Sequence, residues 1–137
     1  MPVDYQIDAG RRLIRTRCIG PLGFEEVIAH FRQLAADPLV PEEPDVLLDF
    51  SELTTFPDRD QVYSVAREVR ELRPRISWRN LAIVAPRDLA FGIARMFEMI
   101  SEPSFRATRV FRSLADAERW IEKPDAAAPR PGGCDRG

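Results

Sequence analysis

The chain is short of the side chains that usually carry nucleophilic or metal-assisted chemistry, with one histidine, His30, and two cysteines, Cys18 and Cys134. It has no Cys/His cluster at zinc spacing, no glycine-rich phosphate loop, no dinucleotide fingerprint and no G-x-S-x-G elbow. Cys18 falls in a strand-like segment and Cys134 near the C-terminus, so they read as free thiols of a reducing compartment rather than a disulfide staple. No apolar run approaches the roughly 18 residues of a spanning helix. Met1-Pro2-Val3-Asp4 lacks the basic and apolar regions of a secretory signal. These features predict a cytoplasmic protein. No basic block stands out either. The 20 basic and 22 acidic residues are mixed along the chain, and the pI is about 5.5. That balance argues against a nucleic-acid partner and against binding an anionic membrane by charge alone.

What remains is an ordinary globular composition, 45% hydrophobic and 31% charged over 137 residues, enough for one hydrophobic core. Val3, Tyr5 and Ile7 alternate with polar residues as in a half-buried strand. Ile14, Thr16 and Cys18 share a face in the next run. Folded as a hairpin about Ala9-Gly10, these place Tyr5 opposite Ile14, Val3 opposite Thr16 and Asp4 opposite Arg15. After the Gly20-Pro21-Leu22-Gly23 turn, helical spacing predicts a helix over 24–36, ended by Asp37-Pro38. Val46-Leu47-Leu48-Asp49-Phe50 and Leu81-Ala82-Ile83-Val84-Ala85 read as strands covered on both faces. Amphipathic helices are expected over 58–73 and 88–101, an edge strand over 108–111, and a capped final helix from Ser113 to near Glu122. From Pro124 onward the composition is that of a tail. The expected organisation is one domain over 1–123 and a disordered tail over 124–137. The order β-β-α-β-α-β-α-β-α predicts an α/β fold: an N-terminal hairpin, then a mixed, mostly parallel sheet flanked by helices.

Several segments carry a resemblance. They are Gly20-Pro21 before Phe24-Glu25-Glu26, Val46-Leu47-Leu48-Asp49, the stretch from Val84 to Gly92, and Arg109-Val110-Phe111-Arg112 leading into Ala115-Asp116-Ala117-Glu118-Arg119-Trp120. In this order they resemble the SpoIIAA-like family of bacterial proteins, over about residues 3 to 122. That family is related to STAS domains and is also compared with CRAL-TRIO lipid-binding domains. STAS antagonists are switched by phosphorylation of a serine after the third strand, in a pattern like Asp-Phe-Ser…Asp-Ser-Ser-Gly. This chain keeps Asp49-Phe50-Ser51 but then reads Phe56-Pro57-Asp58-Arg59-Asp60, so the resemblance does not carry over the switch. The CRAL-TRIO comparison implies an apolar ligand or a peripheral membrane contact through a movable helix.

Read residue by residue, His30 is placed off the apolar stripe of its helix, on the solvated side. Asp49 stands near the end of an inner strand, where open α/β sheets usually hold their sites. With Asp58 and Arg87 it would form a polar cleft; the simpler alternative makes these residues loop ties and helix caps. On the third helix, Leu89, Ile93, Met96, Phe97 and Ile100 form the inward stripe. Phe91 and Met99 lie off it, for a ligand pocket, an interface or a wide core contact. Trp78 reads either as a partner anchor or as a lid over the sheet edge, and Trp120 as core. The expectation is a non-catalytic binding or regulatory module, without cofactor or metal; the alternatives are a phospho-independent STAS-type protein-interaction domain and, after it, an enzyme using Asp49, Asp58 and Arg87. The module's ligand candidates are Phe91, Met96, Met99, Trp78, Asp49, Asp58 and Arg87. Its partner would be an apolar small molecule, a membrane surface or another protein.

Overall fold

Alternation of apolar and polar residues gives two strands that must pair locally before any helix can cover them. In the computed structural model, which describes residues 3–101 and 104–122, these are β1 (Val3–Asp8) and β2 (Leu13–Gly20), paired antiparallel. The expected tail lies outside the described residues. The hairpin register differs from the expected one. Tyr5 faces Thr16, Val3 faces Cys18 and Asp4 faces Arg17. The cause is the connection: Ala9–Arg11 form a 3-10 turn whose N-cap, Asp8, accepts from the Arg11 N–H, and Arg12 follows in the left-handed region at φ 54°. Ala9 to Arg12 therefore make the bend, not Ala9-Gly10 alone. The register slides by an even step, so every side chain keeps its face.

The chain then winds in one direction. The elements are α1 (Phe24–Ala36), β3 (Asp45–Leu53), α2 (Arg59–Glu71), β4 (Asn80–Val84), α3 (Asp88–Ile100), β5 (Ala107–Phe111) and α4 (Leu114–Glu122). The sheet order is β1-β2-β3-β4-β5, with β2 to β5 parallel, and β5 lies at the edge as expected. Right-handed crossovers that always step the same way put their helices on one face. That face carries the rows Ile14/Val46/Leu81 and Thr16/Leu48/Ile83, packed under α1, α2 and α3 with Phe31, Leu34 and Val69. The opposite face has α4 alone, with Ala117, Trp120 and Ile121 on Leu13, Leu47, Ala82 and Val84. Arginines flank this smaller core. Arg15 is ion-paired with Glu118, and Arg109 lies over the rings of Phe111 and Trp120.

The amino ends of the inner strands are tied by a half-buried ion pair. Both nitrogens of the Arg79 fork reach the Asp45 carboxylate, at 3.1 and 3.0 Å, and the Asn80 N–H donates to the same group at 3.1 Å. One expectation about buried groups is overturned, and one open alternative narrows. His30 is 4% exposed, because it follows Val27 by three residues and precedes Leu34 by four, within the stripe that faces the sheet. Its Nε2 lies 3.0 Å from Thr16 Oγ1, a hydroxyl that β2 turns inward. Of the two readings of Trp78, burial fits the lid and not an exposed anchor. The ring is buried edge-on against Phe31 at 5.6 Å and stacked with Phe105 at 5.7 Å. Trp120 is core, as expected.

Candidate functional site

Carboxyl ends of parallel strands, where chains leave the sheet for helices, are where open α/β folds leave crevices. Here that end holds an apolar cavity of about 60 Å³ between the sheet and α1, α2 and α3. Every residue lining it is apolar; Leu48 and Ile83 form its floor, Phe31 and Phe56 its sides, and Ala90 and Ala94 of α3 part of its roof. The void follows from the sequence of α3. Its inward positions are Ala90, Ala94 and Phe97, so two methyl side chains stand over large strand residues. Such a space stays dry, because water placed there would find no polar partner.

The third helix is thus rotated relative to the expected stripe. Leu89 is 64% exposed and Met99 72% exposed, whereas Ile93, Met96 and Ile100 are half-buried. Phe91 is half-buried under the Arg112 guanidinium, 4.3 Å from the ring centroid, and Arg112 in turn pairs with Asp88 at 2.8 Å. None of the seven candidate residues lines the cavity. The polar ones do not converge. Asp49 points to the α4 face, and its Oδ1 accepts from the Ser51 N–H at 2.9 Å and the Ser51 hydroxyl at 2.6 Å. Asp58 caps α2, accepting from the Gln61 N–H at 2.9 Å while Gln61 Oε1 accepts from the Asp58 N–H. Arg87 is the exposed residue preceding α3. Ala90 and Ala94 were the missed residues, and the available signal was two alanines at helical spacing inside an otherwise bulky segment.

Burial is the largest cause of the shifts of the titratable groups near the core. Burial pushes the Cys18 thiol up to about 12, with the Asp49 charge adding to it, and pushes His30 down to about 4. Tyr5 rises to about 12, first by burial and then because its hydroxyl donates to Asp37 at 2.7 Å. Among the described residues no group of His, Cys, Asp and Glu is placed to hold a metal ion. No helix among them is long and apolar enough to cross a membrane.

No family model and no curated protein matches the sequence. A solved structure does match in shape: an uncharacterized protein of the DUF3478 family with a SpoIIAA-like fold, from Shewanella loihica PV-4. It superposes with a TM-score of 0.58 at 16% identity, over 87% of this chain and 93% of that one. The fold is SpoIIAA-like. In this chain the loop after β3, where the resemblance would put a phosphorylatable serine, contributes to packing. Phe56 and Pro57 line the cavity, and Asp58 is spent on the start of α2. The SpoIIAA-like sheet thus presents an apolar crevice at its carboxyl end, with no nucleophile or acid–base pair among the residues lining it.

Proposed function

We propose that the chain is a non-catalytic binding module. It takes a small apolar group, such as the end of an alkyl chain, into the cavity beneath α3. The observation that carries this reading is the all-apolar lining at the strand ends, in a space left open by Ala90 and Ala94. The commitment of Asp49, Asp58 and Asp88 to turns, caps and an ion pair supports a role without catalysis. A volume of about 60 Å³ is well below the roughly 150 Å³ of an engineered cavity that admits benzene. Anything longer than a few carbons therefore requires α3 to shift outward. Met99 and Leu89, exposed on that helix, supply the apolar surface such a ligand would meet on entry. A helix acting as movable wall is also what the CRAL-TRIO comparison implies.

The test uses 1-octanol as probe and the methyl resonances of Ala90 and Ile83, which line the cavity and are present in wild type and variant alike, as readout. Saturable shifts are expected in the wild-type protein. Ala94→Leu should fill the space, abolish those shifts and add about 1 kcal/mol of stability by removing the void. Equal shifts in both proteins, or none in the wild type, would sink the reading.

A further inference from the structure

The other end of the sheet holds a site of opposite chemistry. The end of α2, the connection over 72–79 and the residues leading into β5 enclose an open concavity of about 750 Å³. Arg70, Arg73 and Arg106 line it together with Ser77 and Ser104, and the buried Trp78–Phe105 stack underlies it. No carboxylate is among the lining residues. Many arginines elsewhere are neutralised: Arg15 by Glu118, Arg32 by Glu68, Arg79 by Asp45 and Arg112 by Asp88. Arg70 and Arg73, by contrast, form no ion pair among the described residues, and Arg106 reaches Glu43 only at 4.0 Å. Arg70, in the last turn of α2, complements the carbonyl end of that helix. Arg73 and Arg106 lie outside any helix and have no such role.

Like charges gathered on one concave surface repel each other, and an anion with several oxygens relieves that repulsion. Guanidinium forks arriving from two separate segments suit a tetrahedral dianion, whose oxygens face several directions, better than a planar monocarboxylate. The two serine hydroxyls add donors of the kind that complete such a shell. We propose that this concavity binds the phosphate group of a small organic phosphate monoester. It is separate from the apolar cavity and does not depend on that reading.

The experiment titrates the full chain with glycerol 3-phosphate, following tryptophan fluorescence and thermal unfolding, against sodium chloride at matched ionic strength. Saturable binding and a raised midpoint are expected with the phosphate alone. Arg73→Gln with Arg106→Gln should weaken binding roughly tenfold or more, as expected for lost charge-assisted hydrogen bonds. Arg59→Gln with Arg119→Gln removes the same charge elsewhere and should leave it unchanged. Chloride reproducing the effect, or undiminished binding in Arg73→Gln/Arg106→Gln, overturns the site. Tighter binding of citrate overturns the phosphate assignment. Without any variant, the indole N–H resonances decide the location. Trp78 should shift and Trp120, under α4 on the opposite face, should not; the reverse pattern overturns the proposal.

Discussion

His30 determines how the fold responds to acid. Its ring is buried, Nε2 meets Thr16 Oγ1, and Nδ1 has no partner among the described residues. A protonated imidazole there would carry an unsolvated charge, so burial lowers its pKa from 6.5 to about 4. The unfolded chain protonates this residue near pH 6.5, while the folded chain holds it neutral. Between those two values the unfolded state binds the extra proton. Stability is therefore full above about pH 6.5, falls as pH drops toward about 4, and levels below that. The loss should reach about 2 kcal/mol by about pH 5. Urea midpoints of wild type and His30→Gln at about pH 7 and about pH 5 check this. The wild type should lose stability and the variant should lose far less; parallel losses would contradict the burial account. At this scale the sequence is legible where the rule is local. Asp58 at the start of α2, and Ser113 accepting from the Asp116 N–H at 3.1 Å, are caps that spacing alone identifies. His30 was misread because the hydroxyl that satisfies it belongs to Thr16, on a different element.

Among the elements, α3 is the one whose own sequence works against it. Gly92 lies in its middle, where glycine costs a helix about 1 kcal/mol relative to alanine. A methyl group built at Gly92 would meet nothing within 4 Å, so close packing does not require the glycine. Gly92→Ala should thus raise stability by about 1 kcal/mol, read as a higher urea midpoint with an unchanged slope. A destabilised Gly92→Ala would mean that the helix is held in a conformation a side chain cannot share. The extent of each helix was readable from its periodicity, and 24–36 agrees with α1 to the residue. The rotation of α3 was not. A stripe built on Leu89 and one built on Ala90 differ by a single position, and periodicity favours the larger side chains. The chain instead exposes Leu89 and turns Ala90 and Ala94 inward, because the strand residues beneath them are bulky. In the hairpin, likewise, alternation decided the faces but not the register, which depends on the left-handed Arg12.

In the whole molecule, one-way winding separates two chemistries along the same strands. Parallel strands all begin at one end and finish at the other. Connections entering the sheet gather Arg73 and Arg106, and those leaving it gather Leu22, Phe56 and Pro57. The parallel order of β3 and β4 was legible from two unalternated apolar runs separated by a helix. The arginine cluster was not, because Arg106 stands more than thirty positions after Arg70 and Arg73 and meets them only through the crossover to β5. Between the two sites lies β4, five residues or about 16 Å of strand, packed on both faces. Substitutions separated by that distance without shared partners are expected to act independently. Ala94→Leu should therefore leave glycerol 3-phosphate affinity unaltered, Arg73→Gln should leave the 1-octanol shifts unaltered, and the double variant should show the sum of the two stability changes within about 0.5 kcal/mol. If filling the apolar cavity instead changes phosphate affinity several-fold, the sheet is transmitting a rearrangement of α3 to its far end. The two sites would then belong to one amphipathic ligand or one coupled switch.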